Sequence, residues 1–288
     1  MGADPGGAGP DGLPATSVRS AAVLGHPVDH SLSPVLHGAA YRALGLDGWT
    51  YERIDCDAER LPSVVGSSPG HRVGYSVTMP GKFAALGYAT EVSDRARIVG
   101  SANTLVRRGG GWFADCTDVD GVTGALAEFD DLPPAPTAVV LGVGGTARPV
   151  LAGLAEAGAT RVVMASRRDN AGPAADCGRA LGLEIHTVLL TDESLADEIA
   201  RSDVLVNTVP EPGVGDLTGL VVRANRLFDV LYDPWPTAAG SVAVSAGIPV
   251  VGGDVMLLHQ AFGQVELFTG HPAPREAMAT ALAAALGR

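Results

Sequence analysis

The stretch "AVVLGVGGTARPVLAGLAEAG", residues 138–158, decides the fold of this chain. It begins as a buried strand, turns at glycines and continues as a helix with apolar residues at Val150, Leu151 and Leu154. Glycines at such a turn allow a tight bend and let a pyrophosphate approach the free amides at the positive helix end. A plain tight turn has the same glycine signature, so the neighbouring sequence must decide. The residues expected to contact a dinucleotide are Gly142, Gly144, Gly145, Thr146 and Ala147.

The end of the next strand bears on which dinucleotide would bind. The strand "RVVMAS", residues 161–166, ends about 25 residues after the first glycine, where NAD enzymes place an acid against the ribose hydroxyls. This chain instead has Ser166, Arg167 and Arg168. Two guanidinium groups can bind a 2′-phosphate, which an acid would repel, so the sequence predicts NADP rather than NAD. Asp169 follows directly, and a solvated loop with local ion pairs is the alternative interpretation.

Strand and helix patterns alternate on both sides of this stretch. After it, the β-prone runs "DVLVNTV", "RLFDVLY" and "IPVVGG" predict a parallel sheet with helices on both faces. Before it, short β-prone runs alternate with helical stretches from residue 18, and "NTLVRR" with "GWFADC" predicts a hairpin around residues 109–111. The last stretch, from Met256, is helical except at "GHPAP".

These patterns predict two α/β domains. Residues 18–117 and 253–288 are expected to form a substrate-binding catalytic domain, to which the C-terminal helices return. Residues 118–252 are expected to form an NADP-binding Rossmann domain with a parallel sheet. Residues 1–17 are rich in Gly and Pro and carry Asp4 and Asp11 where a secretory signal would be positive, so they predict a disordered, uncleaved tail.

The composition of the 288-residue chain restricts its partners. A formal net charge of −12 and the lack of any Lys/Arg run longer than two residues argue against nucleic acid. No stretch reaches the roughly 18 apolar residues of a membrane span, so no membrane partner is expected. Cys56, Cys116 and Cys177 are odd in number and far apart, which predicts a reduced, cytoplasmic protein rather than a disulfide or zinc framework. No metal site is predicted.

The turn "VTMPGK", residues 77–82, places Lys82 after a strand end. Pro80 can occupy the first helical position, which would make Lys82 project from a helix N-terminus. In a cleft, a lysine paired with a carboxylate can exchange protons near neutrality, although most lysines are simply solvated. The candidate partners are Asp115, Asp118 and Asp120 in "DCTDVDG", a cluster that would also suit a solvated loop or a helix cap.

The stretch "HSLSPVLH", residues 30–37, sets Ser31 and Ser33 just before a helix that Pro34 would start. Ser33 as a plain N-cap is the simpler interpretation. Two hydroxyls at a helix N-terminus also suit a carboxylate, because the amides and the helix dipole favour an anion. The histidines His26, His30 and His37 form no convincing metal set and are interpreted as loop or packing residues.

The order of these signals resembles the shikimate dehydrogenase family over residues 20–285. That family's chemistry is the reversible reduction of 3-dehydroshikimate to shikimate by NADPH, so the resemblance implies an NADP-dependent oxidoreductase of the shikimate pathway, which supplies chorismate and the aromatic amino acids. The motifs that carry it are "GHPVDHSLSPVLH", "YSVTMPGK", "VGSANTLV", "DCTDVDG", "LGVGGTAR", "VLYDPWPT" and "GGDVMLLHQAF".

The resemblance also assigns roles to residues. The family's lysine after the "T-x-P" turn and its aspartate in "TD" match Lys82 and Asp118, which are therefore expected to be the catalytic pair. Tyr232 is expected on the substrate side and Gly253 near the nicotinamide. By the same comparison, the substrate carboxylate and ring hydroxyls would be bound by Ser31 and Ser33 and by Thr78, Asn103, Asp118 and Gln260.

Two departures from the family pattern keep other functions open. The family usually has Asn at the position of Cys116 and often has Asn at that of Ser76, so quinate or aminoshikimate dehydrogenase is an alternative. A catalytically silent relative that senses NADP(H) or shikimate-like metabolites is another, although Lys82 and Asp118 argue against it. A folate-type dehydrogenase would not explain "SLSP" and "TD" together. A monomer or a homodimer is expected, with small molecules as the ligands.

Overall fold

The computed structural model describes residues 18–168, 171–210 and 217–288. The chain divides into two compact units. The first consists of the residues up to Thr117 together with Gln260–Arg288, and the second consists of Asp118–His259. The tail expected to be disordered, residues 1–17, lies outside the described residues.

From residue 18 onward, the first unit contains six strands and the helices that cover them. The strands are β1 (Arg19–Gly25), β2 (Trp49–Asp55), β3 (Arg72–Val77), β4 (Glu91–Val92), β5 (Thr104–Arg108) and β6 (Gly111–Asp115). The helices, labelled in chain order, are α1 (Ser33–Ala43), α2 (Leu61–Gly66), α3 (Lys82–Tyr88), α4 (Asp94–Val99), the larger part of α11 (Gly253–Thr269), and α12 (Arg275–Ala285).

These strands form one mixed sheet in the order β2-β1-β3-β5-β6-β4. β1 runs parallel to β2 and β3, while β5 runs antiparallel to β3 and β6. The hairpin predicted around residues 109–111 is confirmed, with Arg108 opposite Gly111. Because β1 and β3 are parallel, the chain leaves both at the same edge, where the Thr78 N–H donates to the Leu24 carbonyl at 2.8 Å.

The described residues of the second unit form six strands that alternate with helices. The strands are β7 (Ala138–Leu141), β8 (Arg161–Ser166), β9 (Glu184–Leu189), β10 (Val204–Asn207), β11 (Leu227–Asp229) and β12 (Val250–Gly252). The helices are α5 (Asp118–Ala127), α6 (Ala147–Glu156), α7 (Gly172–Ala180), α8 (Leu195–Arg201), α9 (Thr218–Val221) and α10 (Ala238–Ser245).

All neighbouring strands of the second sheet are parallel, in the order β12-β11-β10-β7-β8-β9. This doubly wound arrangement, with the first strand of the unit at the centre, is typical of the Rossmann fold, whose ligands bind at the carboxyl ends of the strands. The predicted parallel sheet is therefore confirmed. Successive residues explain the helices on both faces, because Val140 packs in one apolar cluster with α6 while Val139 packs in another with α8.

Two local predictions about helix starts are wrong. Pro80 does not begin a helix: α3 begins at Lys82 with Gly81 as the N-cap residue, and the Gly81 N–H donates to the Thr78 carbonyl at 2.9 Å. Ser33 is not an N-cap, because Leu32 holds that position and Ser33 is already helical. In both cases the helix starts one or two residues away from the position that the proline suggested.

The second boundary between the units lies within α11, between His259 and Gln260, rather than near residue 253. The helix is continuous across this boundary, so its first turns belong to the second unit and its remaining turns to the first. None of the described helices has the length and apolar character that crossing a lipid bilayer demands.

Gly74 tests the packing of the first unit. A Cβ at this position in β3 would overlap the Phe268 ring and lie 2.8 Å from the Leu105 carbonyl oxygen. We expect Gly74→Ala to lower the free energy of unfolding by about 2 kcal/mol or more, because the added methyl group could be accommodated only by moving both the buried Leu105 backbone and the packed Phe268 ring. Urea unfolding measures this. Gly70→Ala is the control, since a Cβ there meets no atom within 4 Å, and equal loss in both variants would contradict the packing described.

Candidate active site

The two predicted carboxylate-binding serines lie at the start of α1, after β1. Both side chains are buried, and the Ser33 N–H donates to Ser31 Oγ at 3.3 Å. Ser31 Oγ in turn donates to Ser33 Oγ at 3.2 Å. The two hydroxyls are therefore adjacent at the positive end of an 11-residue helix, an arrangement that favours an anion.

Arg53 fixes the backbone beside these serines. Its Nε and Nη2 atoms donate to the Ser31 carbonyl at 3.0 and 2.6 Å. This two-point contact holds the connection between β1 and α1 and adds a positive charge close to both hydroxyls. The sequence analysis missed Arg53, which lies in the alternating pattern of β2.

A second chain of hydrogen bonds lies within the first unit. The Tyr51 hydroxyl donates to Ser76 Oγ at 2.6 Å. Ser76 Oγ donates to Gln264 Oε1 at 2.7 Å. The Gln264 amide nitrogen donates to the Asn103 carbonyl at 3.2 Å and to Thr104 Oγ1 at 3.1 Å. Tyr51 and Asn103 therefore belong to one network within the first unit, joined through Ser76 and Gln264.

Asn103 is the other end of this network. Its Oδ1 atom accepts from Thr104 Oγ1 at 2.9 Å and from the Thr117 N–H at 2.8 Å. Its Nδ2 atom donates to Thr117 Oγ1 at 3.0 Å and to Gln260 Oε1 at 3.3 Å. The structure thus brings two predicted hydroxyl-binding residues, Asn103 and Gln260, into direct contact.

His37 is a packing residue, buried in α1 beside the network. Its ring stacks on Tyr51 with centroids 4.1 Å apart, and Nε2 lies 3.3 Å from Gln264 Oε1. Burial lowers the pKa of His37 to about 3, against a smaller opposing effect of the hydrogen bond to Gln264. The ring is therefore neutral at physiological pH. Since Gln264 Oε1 can only accept, Nε2 carries the proton.

The turn after β3 holds Thr78 and Lys82, both half-buried. Lys82 is the first residue of α3, and its carbonyl accepts from the Ala102 N–H at 3.0 Å. It is also the only lysine in the chain, since every other basic position of the Lys/Arg class is arginine. An amine can release its proton near neutrality when its surroundings favour the neutral form, whereas an arginine cannot.

The three aspartates of "DCTDVDG" have different environments. Asp115 accepts from Arg95 Nη2 and Ser93 Oγ, both at 2.6 Å. Burial alone would raise the pKa of Asp115, but these hydrogen bonds outweigh it and hold that pKa below its usual value. Asp115 therefore forms an ion pair with Arg95. Asp118 is buried and is the first residue of α5, and Asp120, two residues further on, is half-buried.

The glycine turn after β7 contains two kinds of glycine. Gly142 has φ +97° and its N–H donates to the Ala165 carbonyl at 2.8 Å, so the chain's own turn requires it. Gly144 and Gly145 are exposed, and a Cβ on either would meet no atom of the described chain within 4 Å. They leave a cradle beside Thr146, the N-cap residue of α6, and Ala147, its first residue.

The end of β8 lies next to this turn, because β7 and β8 are adjacent and parallel. Ser166 is buried, and its Oγ donates to the Arg168 carbonyl at 2.5 Å, which fixes a tight bend. The Arg167 and Arg168 side chains are exposed, and no ion pair joins them to a carboxylate of the described residues. Asp169 of the alternative ion-paired loop lies outside the described residues.

Gly253 and Tyr232 lie near the ends of the last two strands. The Gly253 N–H donates to the Leu231 carbonyl at 3.1 Å, and a Cβ would overlap the Val230 carbonyl oxygen. Packing alone therefore requires glycine at this position. Tyr232 is half-buried just after β11. Among the described residues, no group of three or more His, Cys, Asp or Glu side chains is arranged to hold a metal ion.

Comparison with known proteins gives two family profiles and close relatives. A profile described as "Shikimate dehydrogenase substrate binding domain" matches residues 23–105, and one described as "Shikimate 5'-dehydrogenase C-terminal domain" matches residues 255–283. A "Shikimate dehydrogenase (NADP(+))" of Thermosynechococcus vestitus is 34% identical over 277 residues, which cover 92% of this chain and 95% of the relative. The chain belongs to the shikimate dehydrogenase family.

Solved structures of the shikimate dehydrogenase family agree with both units. The structure from Mycobacterium tuberculosis is 51% identical with a TM-score of 0.88, covering 92% of this chain and 99% of that one. The enzyme of Thermus thermophilus, solved in complex with NADP(H) and shikimate, is 31% identical with a TM-score of 0.78, covering 93% and 100%. The resemblance inferred from the sequence is therefore confirmed.

The residues assigned through the shikimate dehydrogenase resemblance fall into two sets. In the first unit, Ser31 is hydrogen-bonded to Ser33 and Asn103 to Gln260, and Thr78 and Lys82 lie in the turn after β3. The members in the second unit are Asp118, Gly142, Gly144, Gly145, Thr146, Ala147, Ser166, Arg167, Arg168, Tyr232 and Gly253.

Tyr51 and Gln264 are members of the network that the sequence analysis missed. Gln264 follows Gln260 by four residues, so both lie on one face of α11, and this spacing is a signal that could have found it. Tyr51 gives no comparable signal, because an aromatic residue in a β-rich run is equally typical of a core position.

The neutral His37 predicts a pH dependence of stability. Its pKa is about 3 in the folded protein against an ordinary value of 6.5, so its contribution to stability is complete above pH 6.5 and decreases as the pH falls. We expect this contribution to the free energy of unfolding to drop by about 2 kcal/mol between pH 7 and pH 5. Urea unfolding of His37→Phe, which keeps the stacked ring, should show a correspondingly shallower pH dependence than the native protein. Identical pH dependence in both proteins would contradict a buried neutral imidazole.

Proposed function

We propose that this protein catalyses the reversible, NADPH-dependent reduction of 3-dehydroshikimate to shikimate, a step of the shikimate pathway toward chorismate and the aromatic amino acids. The proposal depends above all on two buried groups of the first unit, the adjacent hydroxyls of Ser31 and Ser33 and the hydrogen-bonded amides of Asn103 and Gln260, since they offer hydroxyl and amide groups suited to a polyhydroxylated acid. The family membership supports the same reaction.

In this proposal the first unit recognises the substrate. Ser31 and Ser33 bind the carboxylate, and Arg53 contributes favourable charge beside them. Asn103, Gln260 and Thr78 bind the ring hydroxyls together with Asp118. Tyr232 contributes to the substrate side.

Lys82 and Asp118 handle the proton. Lys82 as ammonium donates to the oxygen that becomes the new hydroxyl, and Asp118 accepts a hydrogen bond from the same hydroxyl and polarises it. In this proposal the two groups share the proton transfer. Arginine could supply the charge but could not release the proton, which agrees with the single lysine of the chain lying at this position.

The glycine turn of the second unit fits a dinucleotide. Gly144 and Gly145 leave the cradle that a pyrophosphate would fill, and the first amides of α6 provide donors. When bound, NADPH supplies the hydride. Thr146 and Ala147 would contact its phosphates, Ser166, Arg167 and Arg168 would hold the 2′-phosphate, and Gly253 would lie near the nicotinamide.

We further propose that the protein acts in the cytoplasm as a monomer or a homodimer. Its three cysteines, Cys56, Cys116 and Cys177, are buried free thiols, and burial raises the pKa of Cys56 and Cys177. Such thiols are poor nucleophiles and poor targets of oxidation, which suits a reducing compartment.

The decisive experiment is cofactor reduction with shikimate or quinate crossed against NADP or NAD in four reactions. We expect turnover mainly with shikimate and NADP. Equal or better turnover of quinate would favour the alternative, quinate dehydrogenase. Absence of turnover in all four reactions would favour a catalytically silent sensor.

Lys82→Ala and Lys82→Arg extend this experiment to the proton transfer. Both variants should lose turnover by about a hundredfold or more, because general acid–base catalysis contributes that much, while shikimate still binds in calorimetry. If Lys82→Arg kept native turnover, Lys82 would act through its charge alone and the proposed proton transfer would be wrong.

Arg167→Ala combined with Arg168→Ala tests the cofactor assignment. Loss of charge-assisted hydrogen bonds to a 2′-phosphate should raise KM for NADP about tenfold or more and leave KM for NAD unchanged. Arg179→Ala is the control, because Arg179 is an exposed arginine of the same unit that is paired with Asp176. An equal rise of KM for NADP and for NAD would show that the two arginines do not bind the 2′-phosphate.

A further inference from the structure

The carboxylate of Asp229 is completely buried at the carboxyl end of β11, where it accepts hydrogen bonds from three neutral donors. Its Oδ1 atom accepts from Asn207 Nδ2 at 3.0 Å and from the Leu231 N–H at 3.2 Å. Its Oδ2 atom accepts from Thr237 Oγ1 at 2.6 Å. Both oxygens are therefore used, one toward the neighbouring strand β10 and the chain that follows β11, the other toward α10.

These contacts fix both ends of the loop formed by residues 230–236. Leu231 lies at the beginning of the loop, and Thr237 directly follows its end. Thr237 is also the N-cap residue of α10, where its Oγ1 atom accepts from the Gly240 N–H at 2.9 Å. One carboxylate thus ties the beginning of the loop to the first turn of the next helix. Because the loop is already ordered, less conformational entropy is lost when it contacts a ligand.

The backbone beside Tyr232 is held from two sides. The Leu231 N–H donates to Asp229, and the Leu231 carbonyl accepts from the Gly253 N–H at 3.1 Å, where α11 begins. Tyr232 is the next residue of the chain and is half-buried. Asp229 and the start of α11 therefore fix the backbone that carries the Tyr232 side chain.

Aspartate is the residue type that suits this position. A carboxylate accepts through both oxygens, whereas an asparagine has one accepting oxygen and would turn an N–H₂ group toward a donor. Asp203 makes similar contacts at the opposite edge of the same sheet, just before β10. Its Oδ2 atom accepts from the Thr137 N–H at 2.8 Å and from Thr137 Oγ1 at 2.7 Å. Ligands of this fold bind at the carboxyl ends of the strands, where Asp229 lies and Asp203 does not.

We propose that Asp229 is a positioning residue for substrate binding: by holding Leu231 and Thr237 together, it fixes Tyr232 in the orientation that contacts the substrate. The inference rests on the proposed function, because it takes Tyr232 as a residue of the substrate side. Asp229 is completely buried, so it acts through the loop rather than by touching the substrate.

The test compares KM for shikimate and KM for NADP in Asp229→Asn and in the native protein. The amide keeps the size of the side chain but leaves one accepting oxygen for three donors, so at least one hydrogen bond is lost. We expect KM for shikimate to rise about fivefold or more, the effect of losing one such bond. KM for NADP should change less than about twofold, because most of the proposed cofactor contacts lie at the glycine turn and at the end of β8.

Tyr232→Ala shows whether the effect passes through the tyrosine. This variant should itself raise KM for shikimate, and adding Asp229→Asn to it should have little further effect, because the side chain being positioned is then absent. A purely structural role of Asp229 would lower kcat and the free energy of unfolding with KM for shikimate unchanged. That result, or effects of the two substitutions that add fully, would overturn the inference.

Asp203→Asn is the matched control, because it alters a carboxylate with the same kinds of donor in the same unit. It should leave both KM values within about twofold of the native values, and a rise of KM for shikimate equal to that of Asp229→Asn would overturn the inference.

Thr237→Val provides a second test if Asp229→Asn does not fold, since it removes the donor to Oδ2 and leaves the carboxylate in place. KM for shikimate should rise in Thr237→Val and stay native in Thr237→Ser, which keeps the hydroxyl. An unchanged KM in Thr237→Val would overturn the inference. A native protein that does not oxidise shikimate would instead overturn the proposed function and the inference with it.

Discussion

The side-chain amide of Gln264 is the interaction on which the first unit depends. It is almost completely buried in α11, yet its four hydrogen bonds reach α1, β3 and β5 through His37, Ser76, Asn103 and Thr104. A buried amide left unsatisfied would cost about 1–3 kcal/mol for each missing partner, so these elements must meet at one distance and in one register. The position of Asn103 follows from that requirement, since its carbonyl accepts a hydrogen bond from Gln264 directly.

Much of the fold could be predicted from local patterns. The strand, glycine turn and helix over residues 138–158, the hairpin and the break in the C-terminal helices all depend on residues close in sequence, so the sequence predicts them correctly. The starts of α1 and α3 were misplaced because proline restricts its own position and the preceding one but does not say which residue closes the turn. The boundary between the two units within α11 also could not be predicted from the sequence, because a helix can continue while the elements that it packs against change.

The candidate site divides in the same way. Ser31, Lys82 and the glycine turn stand in short motifs and could be found from sequence. Tyr51 could not be assigned, and only the spacing from Gln260 pointed to Gln264, because the partners of both residues lie far away in the chain: Ser76 and Gln264 are separated by 188 positions. Contacts between residues distant in sequence are common in parallel sheets, because two neighbouring parallel strands are connected by a long crossover segment. Contacts of this kind depend on register, which the alternation of apolar residues does not reveal.

The single lysine has a consequence for the chemistry of the whole molecule. In most proteins, reagents that attack primary amines, such as sugars, aldehydes and acyl donors, are dispersed over many surface lysines. Here every other basic residue of that class is arginine, so Lys82 carries the only side-chain amine. Acetylation or glycation of a lysine in this protein must therefore occur at the residue proposed to transfer the proton. Any such damage or modification would act directly on turnover, with no other lysine to absorb it.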